Sequence, residues 1–141
     1  METEQNFKLQ SKRSSYIELL PDLAIFALIL FALTILRRLF RTFIVNGDSM
    51  SPTLCENDRL LGLSYFRLRL NDIVVFNHPI SSDKLIKRVK SIEGNRITVI
   101  GDNPVVSVDS YVFGPIELQS IAYKIIYRYF PFDRAGRLKN L

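Results

Sequence analysis

A block of fourteen uncharged residues, LAIFALILFALTIL from Leu23 to Leu36, constrains this chain more than any other feature. It is apolar on every face of a helix, whereas a surface helix of a globular domain keeps a polar side. As a helix the block spans about 21 Å, short of the ~30 Å hydrocarbon core of a bilayer. Extending it back to Tyr16 gives 21 residues and a length of about 31 Å. The extension takes in Glu18, Pro21 and Asp22. Carboxylates fit the headgroup level, and a proline is tolerated in a first helical turn. Arg37, Arg38 and Arg41 follow at once and mark the second interface. Residues 16–36 are therefore expected to form a single transmembrane anchor, with a buried core helix as the alternative. A cleaved secretory signal fits less well, because Glu18 and Asp22 precede the apolar core and no small-x-small site follows it. Orientation stays open: Lys8, Lys12 and Arg13 before the block balance Arg37, Arg38 and Arg41 after it.

The rest of the chain divides around this block. Residues 1–15 are polar and read as a flexible tail, and residues 16–41 as the anchor with its basic flank. Residues 42–133 read as one mostly β domain and residues 134–141 as a basic tail, within a loosely packed or surface-lying segment that runs from Pro131. Within the domain, short apolar runs recur between turn signals: Thr42–Val45, Arg59–Leu63, Asp72–Phe76, Leu85–Ile92, Arg96–Ile100, Tyr111–Phe113 and Ile121–Phe130. Glu93-Gly94-Asn95 separates two of them as a tight hairpin would. Closely spaced strands over about 100 residues point to a small barrel-like or folded-over sheet. The chain has one cysteine, Cys55, and one histidine, His78. That excludes an intrachain disulfide, a cysteine-built zinc site and a histidine-rich metal cluster. The formal net charge of +5 is compatible with nucleic acid, an anionic membrane or neither.

Three segments carry candidate chemistry. In Asn46-Gly47-Asp48-Ser49-Met50-Ser51-Pro52-Thr53-Leu54, an apolar run ends in a Gly-Asp turn, and Pro52 forbids a regular strand interior. Ser49 is thereby presented at a sheet rim, beside backbone N–H groups (of Asp48 and Ser49 first) that could stabilise an oxyanion. An ordinary Ser/Pro turn has the same composition. A serine nucleophile needs a base. His78 lies in a loop before Pro79, where a lone histidine is ordinarily just solvated. Lys87 lies in the strand Leu85-Ile86-Lys87-Arg88-Val89. Alternation points it with Leu85 and Val89, and Arg88 with Ile86. It is either buried or snorkelling from an edge strand. The third segment, Gly101 to Pro115, is dense in Gly, Asp, Asn and Ser. Its side chains would cap a structured turn, and Ser107 and Asp109 share a face if it is extended.

Together these segments resemble the S26 signal-peptidase family, whose members use a Ser–Lys dyad. Ser49-Met50-x-Pro52-Thr53-Leu54 is similar to the nucleophile box, and Asn71-Asp72-Ile73-Val74-Val75-Phe76 to a strand of the family. Lys87-Arg88-Val89 is similar to the base box. Gly101-Asp102-Asn103, Ser107-x-Asp109-Ser110 and Phe113-Gly114-Pro115 are similar to the third box. The resemblance covers residues 43 to about 133. It implies Ser49 as nucleophile, Lys87 as general base, and Ser107 and Asp109 as groups that position the lysine. It also implies an extended substrate paired beside Met50, Lys84, Leu85 and Ile86, and a precursor with an N-terminal leader as partner. Membrane lipid is the other expected partner; no nucleic acid, metal or organic cofactor is. The family commonly has Arg where Tyr111 stands, so the usual Asp–Arg pair is missing locally. The resemblance is expected not to extend to the large second domain of long signal peptidases. Asn77-His78-Pro79, Gly101-Asp102-Asn103-Pro104 and Tyr129-Phe130-Pro131 resemble a short subgroup, the nickel-type superoxide dismutase maturation proteases, which act on a cytoplasmic substrate. Gly47-Asp48-Ser49-Met50 also resembles the LexA-like S24 self-cleaving regulators. Those need a cleavable bond to glycine upstream, and residues 1–41 contain no glycine. A non-catalytic membrane-bound β module would require the dyad to be accidental.

Overall fold

The computed structural model describes residues 2–78, 81, 83–107 and 110–138, with side chains from Pro21 onward except at Tyr111. The chain forms two compact units, Met1–Arg38 and Leu39–Leu141. Helix α1 spans Glu2–Leu39, with Pro21 inside it. The segment read as a flexible tail is thus helical in its backbone from Glu2. Residues 2–20 contain no glycine or proline, and Glu, Gln, Lys and Leu, all good helix formers, are frequent among them. Among the described residues no helix is long and apolar enough to cross a membrane. The side chains of residues 16–20, the first turn of the expected anchor, lie outside the described ones. Within α1, Leu23, Phe26, Leu28 and Phe31 are each more than 60% exposed.

The second unit is mostly β. Strands β1 (Phe40–Ile44), β2 (Arg59–Leu63), β3 (Ile73–Asn77), β4 (Lys84–Glu93), β5 (Arg96–Ile100), β6 (Ile116–Glu117), β7 (Ile121–Phe130) and β8 (Gly136–Arg137) form one antiparallel sheet. Its order is β1-β2-β7-β3-β4-β5-β6, with β8 paired to β7. The β4–β5 hairpin closes at Glu93↔Arg96 over a turn in which Gly94 has φ +61, a region that glycine enters without a Cβ penalty.

β3 explains how one sheet makes a closed core. Its alternate residues serve two apolar clusters. Ile73 and Val75 join Val45, Met50, Leu54, Leu60 and Ile125 on one side. Val74 and Phe76 join Val89, Ile97, Val99, Ile116 and Ile121 on the other. The sheet therefore folds over itself and covers its central strand on both faces.

One segment of this unit differs from the sequence reading. Tyr111–Phe113, read as a strand, lies in a one-turn helix, α2 (Ser110–Phe113). The Ser110 hydroxyl accepts the Val99 amide at 2.9 Å, and the turn closes with Gly114 N–H donating to the Ser110 carbonyl at 3.0 Å. One turn suffices to bring Phe113 against Phe76 and His78. The C-terminal segment, read as loosely packed or surface-lying, is tied down as far as Leu138. β8 pairs with β7, and Leu138 packs on the first cluster.

Candidate active site

The segment from Val45 to Asp58 is a loop pinched shut at its neck. Val45 N–H donates to the Asp58 carbonyl and Asn57 N–H to the Val45 carbonyl, both at 2.9 Å. Two apolar roots, Met50 and Leu54, reach into the first core cluster. Two internal turns, Ser51 N–H to the Asp48 carbonyl and Leu54 N–H to the Met50 carbonyl, shape the stretch between. Ser49 sits half-buried at the turn, and its carbonyl accepts the Asn103 amide at 3.0 Å. Asp48 beside it is exposed.

Lys87 reaches the same place from β4. It is 2% exposed, and its Nζ donates to Ser107 Oγ at 2.9 Å. Its cross-strand neighbour is Val74 of the second core cluster, the face that Val89 occupies and Leu85 packs against. The alternation read from the sequence holds. Gly101 borders both Ser49 and Ser107, the hydrogen-bond partner of Lys87. A Cβ there would collide with the Ser49 carbonyl oxygen and with Ser107 Oγ. Ser49, Ser107 and Lys87 therefore form one cluster around a position that only a glycine fits.

A second polar pair lies beside it. Arg88 Nε donates to Asp102 Oδ1 at 2.7 Å and a terminal nitrogen to Oδ2 at 2.6 Å. This two-point grip fixes orientation as well as charge. Arg88 also donates to the Asn71 carbonyl at 2.9 Å and reaches Thr53 Oγ1 at 3.4 Å. Burial alone would push the Asp102 carboxyl up. Hydrogen bonds from Arg88 and Thr53, with the charges of Arg88 and Lys87, outweigh it and hold the carboxyl below its ordinary value. A carboxyl lowered on folding stabilises the fold fully above about pH 4. That contribution is lost as the pH falls through the lower, folded value.

The remaining expected residues fall out as follows. β4 pairs with β3 from Lys84 to Arg88 but with β5 only from Arg88 onward. Among the described residues, β5 does not pair with Lys84 to Ile86 on that second edge, which leaves room for an extended peptide beside the lysine. Lys84 is exposed, while Leu85 and Ile86 are half-buried against the two core clusters. Met50, expected to touch substrate, has its side chain in the core at 1% exposure. Its thioether anchors the loop and is not offered to a ligand. His78 Nδ1 accepts the Ser81 amide at 3.1 Å, within the β3–β4 turn. Asp109 lies outside the described residues, as does the side chain of Tyr111.

The sequence reading quoted Arg88, Gly101 and Asp102 within its motifs but gave them no role. Their place inside those motifs is the one signal available, because the pairing of Arg88 with Asp102 spans 14 residues and has no local signature.

The sequence pattern of the family described as signal peptidase, peptidase S26, matches residues 17–103. This chain belongs to the peptidase S26 family. The matched stretch holds Ser49, Lys87, Gly101 and Asp102. Over 122 residues the chain is 31% identical to the mitochondrial inner membrane protease subunit 1 of Xenopus tropicalis, covering 69% of this chain and 73% of that protein. It is 28% identical over 122 residues to the mitochondrial inner membrane protease subunit 2 of Schizosaccharomyces pombe, covering 68% of each. Over 100 residues it is 29% identical to the signal peptidase I P of Bacillus subtilis subsp. natto, covering 68% of this chain. It spans about half of that longer S26 relative, 53% of its length.

Proposed function

We propose that this S26 peptidase is a membrane-anchored serine endopeptidase that removes N-terminal leader peptides, with Ser49 as nucleophile and Lys87 as general base. The observation that carries the reading is Lys87 itself. A lysine 2% exposed in an apolar strand is unfavourable unless it has a task or a partner. Here its amine lies in the cluster that also holds the Ser49 loop.

Neutral Lys87 takes the proton of the Ser49 hydroxyl as Oγ attacks the scissile carbonyl. The oxyanion forms against the backbone N–H groups of Asp48 and Ser49. The tetrahedral species collapses, and the Lys87 ammonium gives its proton to the departing amine. A water, deprotonated by Lys87 in turn, hydrolyses the ester and frees the carboxyl-terminated leader. Ser107 holds the amine in place, and Asp109 is assigned the support of that strand. The peptide lies along the open edge of β4 from Lys84 to Ile86.

Two arms test this with the full chain in detergent. A secretory precursor tests general leader removal; a nickel-type superoxide dismutase precursor tests the dedicated maturation role. The native chain should cleave one of them, and Ser49→Ala neither. Cleavage by Ser49→Ala at the native rate would refute the reading.

The exposed Leu23, Phe26, Leu28 and Phe31 support residues 16–36 as the anchor, because no polar face turns outward. A charge at Leu28, near the middle, should cost about 2.5–3.5 kcal/mol of insertion free energy. Leu28→Lys should shift the chain from the sedimented membranes to the soluble fraction. A native chain that is soluble after gentle lysis would rule the anchor out.

A further inference from the structure

Asp58 is fully buried at the neck of the loop that carries Ser49, and three donors meet it. Cys55 N–H reaches Oδ2 at 3.0 Å, an Arg128 terminal nitrogen reaches Oδ2 at 3.1 Å, and an Arg134 terminal nitrogen reaches Oδ1 at 2.7 Å. The two arginines do more than neutralise the carboxylate. The same Arg128 nitrogen donates to the Thr53 carbonyl at 2.9 Å, and Arg128 Nε to the Arg134 carbonyl at 2.7 Å. The other arm of Arg134 reaches Cys55 Sγ at 3.1 Å. The loop is thus gripped at residues 53, 55 and 58 from β7 and from the chain's C-terminal segment. Thr53 is held twice, by its carbonyl here and by its hydroxyl at Arg88.

We infer that Asp58, Arg128 and Arg134 form a clamp that sets the position of Ser49 relative to Lys87, a role that rests on the Ser–Lys reading above. Among the described residues no strand pairs with the loop between its neck and its apolar roots, so its placement depends on the contacts that hold it. On the Arg88 side it is tied to the strand of the base. On the Asp58 side the clamp is what stops it from swinging about its roots. A buried carboxylate stripped of one of its two guanidinium partners loses the hydrogen bonds that orient it. The loop then moves while the core beneath it stays packed. A nucleophile misplaced by about 1 Å costs about 10²-fold in rate.

The test uses the full chain in detergent and compares Arg134→Gln, Arg134→Lys and Arg128→Lys with the native protein and with Ser49→Ala. Arg134→Gln should lower kcat by about 10²-fold, with KM and the pH midpoint of kcat unchanged. Arg134→Lys keeps a cation on Asp58 and should restore most of kcat. Arg128→Lys keeps its charge but cannot span Asp58, Thr53 and Arg134 at once, so it should fall with Arg134→Gln and serves if that variant does not fold. Amide exchange gives a readout independent of turnover. In Arg134→Gln, residues 50–57 should lose protection by about tenfold while β3 and β4 keep theirs. Native kcat with native exchange in the folded variants would overturn the clamp, and so would a uniform loss of protection across the domain, which marks plain destabilisation. Cleavage by Ser49→Ala would instead overturn the Ser–Lys reading, and the exchange arm would still judge the clamp.

Discussion

Lys87→Arg should abolish leader cleavage, with kcat down by about 10³-fold, in the range by which general bases contribute. The argument is one of protonation. Ser49 attacks only if a neighbour takes its proton, and a lysine does so only when neutral. In water a lysine has a pKa of about 10.4, so roughly 0.04% is neutral at pH 7. A base half-neutral near pH 7.4 requires about 4 kcal/mol of selective destabilisation of the ammonium. Desolvation supplies terms of that size. Lys87 is 2% exposed, and a peptide along β4 would remove the remaining water. The nearby Asp102 favours the ammonium, and Arg88 offsets this by engaging both carboxylate oxygens. Activity of the native chain should therefore rise through neutral to mildly alkaline pH. Arginine keeps the charge and cannot lose its proton in a protein. His78→Ala and Lys84→Ala should keep most activity: His78 is engaged with its own turn, and Lys84 is exposed. If Lys87→Arg cleaves while His78→Ala does not, the base is the histidine.

The strands were legible because a sheet writes its pattern locally. Arg59–Leu63, Arg96–Ile100 and Ile121–Phe130 coincide with β2, β5 and β7. The alternation around Lys87 placed its side chain on the correct face for the same reason. The unread parts are those with no local signature. Arg88 meets Asp102 across 14 residues, and Arg128 meets Asp58 across 70. Spacing along the chain does not encode such pairs, and either arginine alone reads as a solvated charge. The partners of the C-terminal segment were hidden for a related reason. Arg134 and Arg137 resemble a polar tail until Asp58 and β7 supply their partners. Helix α2 was misread because three apolar residues are too few to show a period.

Gly101→Ala should be the most damaging single methyl group in the domain. The cause is space, not backbone freedom. Gly47, Gly94 and Gly114 have positive φ, yet a Cβ at any of them would meet nothing within 4 Å. Gly101 needs no left-handed backbone, but its Cβ would overlap the Ser49 carbonyl oxygen and the Ser107 hydroxyl. Neither neighbour yields freely. The Ser49 carbonyl is held by the Asn103 amide, and Ser107 Oγ holds Lys87 Nζ. Overpacking of this kind costs about 1–3 kcal/mol. For a domain near 100 residues that lowers Tm by roughly 4–8 °C per kcal/mol. The larger effect falls on turnover, because relief of the overlap must move Ser49 away from Ser107 and Lys87. A displacement of about 1 Å corresponds to about 10²-fold in kcat. The measurement is kcat at a temperature where circular dichroism shows Gly101→Ala fully folded. A loss that persists there reports geometry and not unfolding. Native kcat with native Tm would mean that Ser49 and Ser107 do not close on Gly101, and the cluster drawn around it would be wrong.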